Sequence, residues 1–80
     1  MPHTYRLNET IFKDKDGMPY KLYGIDAIDE VGKIAESFKN VFFLRSRAVD
    51  FVNLCNECEL SLIHLADAVD DALYEETITL

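Results

Sequence analysis

Residues 46–75 read SRAVDFVNLCNECELSLIHLADAVDDALYE, and their apolar side chains recur at a period the first half of the chain does not share. Ala48, Phe51, Val52, Cys55 and Cys58 stand at i, i+3, i+4, i+7 and i+10, the stripe of an amphipathic helix. Ser46 is suited to cap that helix, because its hydroxyl can accept from the free N–H groups of the first turn. After Glu59-Leu60-Ser61 the period restarts, with Leu62, Leu65, Ala66, Val69, Ala72 and Leu73 on one face and Ser61 as cap. The opposite stripe is polar: His64, Asp67, Asp71 and Glu75. The expectation is two helices over about 46–58 and 61–75, with the final Thr77-Ile78-Thr79-Leu80 as a frayed end or an added strand.

Upstream the period is two. In TYRLNETIF (4–12), Tyr5, Leu7 and Ile11 point one way and Thr4, Arg6, Asn8 and Thr10 the other, a half-buried strand. The turn chemistry of KDKDG follows, and Pro19 is tolerable at the first residue of a second strand, 19–28. There Tyr20 and Leu22 are out of phase with Ile25 and Ala27, and Gly24 between them suggests a bulge. DEVG (29–32) is a second turn. A third strand over 33–42 places Ile34 and Phe38 together, with Glu36 between them needing an exposed edge and Asn40 kinking or ending it. The order β-β-β-α-α predicts an α+β fold: a three-stranded antiparallel meander with two helices packed on one face, in a single domain spanning 1–80.

Eighty residues can bury only roughly 60% of the surface of the unfolded chain, which leaves little room for an enclosed catalytic pocket. The net charge of −7 is unevenly spread. Residues 1–47 hold all eight basic groups and seven acidic ones; residues 48–80 hold eight acidic groups and no basic ones. Such a half repels phosphate backbones and anionic membranes over a Debye length of about 8–10 Å, so neither nucleic acid nor membrane is expected as a partner. Two cysteines do not make a disulfide framework, the first ten residues lack the pattern of a signal peptide, and the longest apolar run is Val41–Leu44. The expected location is the cytoplasm.

Each candidate motif has a plainer account. Cys55-x-x-Cys58 with His64 offers half a zinc site, but a tetrahedral structural site needs four ligands. A redox pair needs its nucleophilic thiol at a helix N-terminus; here the pair closes a helix between Glu57 and Glu59, which favours protonated thiols packed as small hydrophobes. His64, Asp67 and Asp71 lack the spacing of a helical metal site, so a solvated polar face is expected. Aligning Gly17 with the glycine of a calcium loop puts Phe12 and Tyr23 at ligand positions, which excludes it. As a DNA-reading pair, the second helix would present five carboxylates between Asp67 and Glu76 to the phosphates. No catalytic constellation or phosphate-binding loop is present, and neither enzyme activity nor a cofactor or metal is expected.

The stretch 51–73 resembles an uncharacterised family of short proteins from Gram-positive anaerobic bacteria, a domain of unknown function. Asn56, Ser61, His64, Leu65, Asp67, Val69, Asp71 and Leu73 match its helix-joint-helix ending, and YGI at 23–25 is similar to its second strand. Leu62 departs from that pattern, where a proline is usual, and NVFFLRS lacks the usual capping run before the first helix. The resemblance implies kinship and no activity.

The reading that follows is a small regulatory or protein–protein interaction module. Its acidic helical surface (His64, Asp67, Asp71, Glu75) would meet a basic protein, or a like chain would pair through a strand edge. The alternative is a metal- or redox-sensing module using Cys55, Cys58 and His64.

Overall fold

A computed structural model describes the backbone of residues 3–79 and the side chains of residues 3–76. Three strands, β1 (Thr4–Lys13), β2 (Pro19–Ile28) and β3 (Ile34–Phe42), form one antiparallel sheet in the order β1-β2-β3. Two helices follow, α1 (Arg45–Glu57) and α2 (Leu62–Thr79). The α+β order and the strand bounds agree with the alternation of the sequence to within a residue or so. Residues 77–79 continue α2 and form no added strand; Leu80 lies outside the described residues.

Both hairpin turns use one device. Asp14 and Asp29 each accept through Oδ1 from the N–H groups two and four residues on, at 2.9–3.0 Å. Three residues after each aspartate stands a glycine with φ of 80° (Gly17) or 89° (Gly32), a left-handed conformation that costs glycine little. The D-x-x-G repeats at 14–17 and 29–32 therefore set both reversals.

β1 and β2 pair without interruption, from Thr4 opposite Ile28 to Lys13 opposite Pro19. Side chains alternate between faces, so Tyr5, Leu7, Ile25 and Ala27 face the helices and Arg6, Asn8, Asp26, Leu22 and Tyr20 face away. The phase change in β2 is therefore no bulge in that strand. Tyr20 and Leu22 belong to the far half of the hairpin, beyond the helices, and Tyr20 stacks on Phe12 on the uncovered side, centroids 5.5 Å apart.

The irregularity lies in β3. Tyr23 pairs with Phe42 but Ile25 with Phe38, so three residues of β3 span one of β2, and Asn40 takes φ 62° to accommodate them. A second slip between Ala27 and Ile28 pairs Ile34 with Ile28 on the face away from the helices, while Phe38 faces them with Ile25. The expectation that Ile34 and Phe38 face together is thus wrong, because the extra residue at Ala35 inverts the alternation.

Helix α1 packs on β1 and β2, and α2 lies along β3. Tyr5, Ile25, Ala27, Val41 and Phe42 from the sheet meet Ala48, Val52 and Cys55 of α1 and Leu65, Val69 and Ala72 of α2. Two features of the helices correct the sequence reading. The N-cap of α1 is Leu44, in extended conformation and without a side-chain cap, so Ser46 is inside the helix. The start is fixed by burial of Val41, Phe42 and Ala48 on either side of it. The buried stripe of α2 runs Leu65, Val69, Ala72, Glu76, which leaves Ala66 and Leu73 exposed.

Candidate functional site

The joint between the helices is tied to the sheet by polar contacts. Asn56, near the end of α1, donates through Nδ2 to the Tyr5 carbonyl and accepts at Oδ1 from the Tyr5 N–H, both at 2.8 Å. One amide side chain thereby acts as a strand partner for the outer edge of β1. The buried Tyr5 hydroxyl donates to the Leu60 carbonyl. α1 closes with Glu59 at φ 48°, the Leu60 N–H on the Cys55 carbonyl at 3.0 Å and the Glu59 N–H on the Asn56 carbonyl at 3.2 Å. That is a Schellman closure, with glutamate where glycine is usual.

The two cysteines part company there. Cys55 is buried in the core, whereas Cys58 is exposed, which corrects the expectation that both pack on one buried stripe; both thiols are free. Burial, and secondarily the neighbouring Cys58, pushes the Cys55 thiol above its ordinary 9.0. Burial, then Cys55, pushes the Tyr5 phenol above 10.0. Beside them is an apolar dent of ≈ 150 Å³ lined by Phe51, Leu54, Cys55, Cys58, Leu60 and Ala68. His64, whose N–H donates to the Ser61 carbonyl, does not line it. Among the described residues no three His, Cys, Asp or Glu side chains are grouped to hold a metal.

The polar stripe of α2 is placed as its spacing predicts. His64, Asp67, Asp71 and Glu75 are all exposed, as is Asp70 beside them. Glu75 is within 3.8 Å of Arg47 Nη2, and Arg47 Nε lies 3.6 Å from the buried Glu76. The last basic residue of the chain is therefore drawn to the C-terminal end of α2, and the stretch from His64 to Asp71 has no basic side chain of its own helix to offset it.

On the opposite side of the sheet sits a cluster that sequence reading missed. Asp26, buried, accepts at Oδ1 from Asn8 Nδ2 at 2.8 Å and Ser37 Oγ at 2.6 Å, with Arg6 Nε 3.9 Å from Oδ2. Once the strands are aligned, the register of Arg6 opposite Asp26 opposite Ser37 is the signal that would have found it.

The profile of the DUF6514 family matches residues 1–75. The chain belongs to that family. DUF6514 is a family of unknown function, so membership supplies kinship without chemistry. No curated protein and no solved structure gives a significant match. No helix of the described residues is long and apolar enough to cross a membrane.

Proposed function

We propose that this DUF6514 chain is a small, non-catalytic regulatory module that binds a basic protein surface through the outer face of α2. The observation that carries the reading is the alignment of exposed Asp67, Asp70 and Asp71 on a helix whose nearest arginine, Arg47, is spent on Glu75 and Glu76. Exposed carboxylates of one sign steer an oppositely charged partner and fix its orientation more than they add affinity. A bacterial cytoplasm is the setting in keeping with the resemblance to short proteins of Gram-positive anaerobes and with two free thiols. The placement of Cys55, Cys58 and His64 lends no support to metal or redox sensing, since one thiol is buried and pushed toward its protonated form.

Capture from a bacterial lysate by the immobilised chain, compared with the D67K/D71K variant, tests the proposal. A protein retained by the native chain, released by moderate salt and lost with the variant is the expected result. Equal retention by both, or none by either, overturns it.

A further inference from the structure

The two edges of the sheet are not alike. The outer edge of β3 is broken twice by register slips and by the left-handed Asn40. The outer edge of β1 belongs to a strand paired regularly over its whole length. Tyr5 turns its N–H and carbonyl outward, to Asn56. By alternation Leu7, Glu9, Ile11 and Lys13 also turn theirs outward, and among the described residues β1 has no neighbouring strand on that side. An edge this long, with no proline or bulge, is a template for another strand.

We propose that the occupant of this edge is β1 of a second copy, paired antiparallel about Ile11. The chain's own residues select that register. Asn56 occupies the edge at Tyr5, so a partner strand must end before it. With Ile11 opposite the partner's Ile11, the partner's Lys13 falls opposite Glu9 and its Glu9 opposite Lys13, which gives two charge-complementary pairs by symmetry. Sliding the partner two residues toward Asn56 sets Glu9 against the partner's Ile11 and Lys13 against its Leu7, which loses both charge pairs, and a slide of four sets Glu9 against the partner's Glu9 and brings its Lys13 onto Tyr5. Ile11 is 63% exposed in the single chain, although it points to the same face as the buried Tyr5 and the half-buried Leu7, because the helices do not reach it. On the other face the register lays Thr10 beside the partner's Phe12, at the outer side of that ring's stack on Tyr20. The interface is short, so a reversible dimer is expected. It is independent of the acidic face of α2.

Sedimentation equilibrium of the full chain reads this directly, with circular dichroism to confirm that each variant is folded. The native chain should dimerise with a Kd between about 1 µM and 1 mM. Ile11→Pro removes an outward N–H while leaving the ladder to β2 intact, and Lys13→Glu sets like charges opposite each other; each should weaken the dimer about tenfold or more. Glu9→Lys should do the same, its loss of the exposed Lys21 contact costing the fold little. An equimolar mixture of the Lys13→Glu and Glu9→Lys chains restores opposite charges in both pairs and should dimerise as the native chain does. A native chain that stays monomeric up to about 1 mM, variants with undiminished association, or a mixture no tighter than its components would each overturn the proposal.

Discussion

At Gly24 a single hydrogen atom decides how β2 and β3 meet. A Cβ built there would lie 2.0 Å from the Phe38 carbonyl oxygen and 2.9 Å from the Lys39 Cα, both main-chain atoms that no rotamer change can remove. Gly24→Ala should therefore force β3 outward and destabilise the chain by roughly 2–3 kcal/mol. In a domain of this size that is a large part of the total, and urea unfolding should show it as a lower midpoint. An unchanged midpoint would contradict the close approach. In the sequence Gly24 interrupts an apolar strand, which by itself points to an irregularity in β2. The extra residues are in β3, and only the pairing of Tyr23 with Phe42 and Ile25 with Phe38 reveals which strand carries them.

At the scale of the elements, periodicity was a sound guide to type and a poor one to rotation and ends. Two residues per repeat before Phe42 and 3.6 after it separate sheet from helices, since each pattern can bury its apolar side chains only in one geometry. Which flank of α2 turns inward was not legible. Ala66 and Leu73 are as apolar as their neighbours, yet the helix presents Leu65, Val69 and Ala72 to the sheet and carries Glu76 in with them toward Arg47. Ser46 has the residue type of a cap, but α1 starts at Arg45 with Leu44 as its N-cap, where burial on both sides overrides the roughly 0.5–2 kcal/mol that a side-chain cap contributes. The other end of α1 is more telling. Glu59 holds the left-handed position of a Schellman closure, which costs a non-glycine residue about 1 kcal/mol. Glu59→Gly should raise the melting temperature by about 4–8 °C, and a thermal scan that shows no gain would mean the strain is absent.

The whole molecule is pinned where β1, α1 and the joint converge, at Tyr5 and Cys55. Both groups are neutral in the fold and both are held above their ordinary values by burial. A raised folded value means the native state keeps its proton when the unfolded chain has already lost it. The contribution to stability is then complete below the unfolded values of 9.0 and 10.0 and is lost as pH rises through the folded ones. Melting temperature should accordingly fall on the alkaline side, and Cys55→Ala should flatten the part of the decline that starts near 9.0. An identical pH profile in the variant would show that the thiol is not linked to folding. The same convergence explains why the candidate site was only partly foreseen. His64, Asp67, Asp71 and Glu75 were legible as one stripe because helical spacing alone aligns them. The amide of Asn56 on Tyr5, fifty-one residues away, and the carboxylate of Asp26 between Asn8 and Ser37 were not.

Local chemistry was sufficient for the element types, the two D-x-x-G turns, the α+β order and the acidic outer face of α2, since each depends on residues within a few positions of one another. Tertiary structure alone decided the slips of β3, the burial of Cys55 against the exposure of Cys58, the pairing of Arg47 with Glu76 and the bare edge of β1. Those depend on residues distant in sequence competing for the same space and the same hydrogen bonds, and no local period records the outcome.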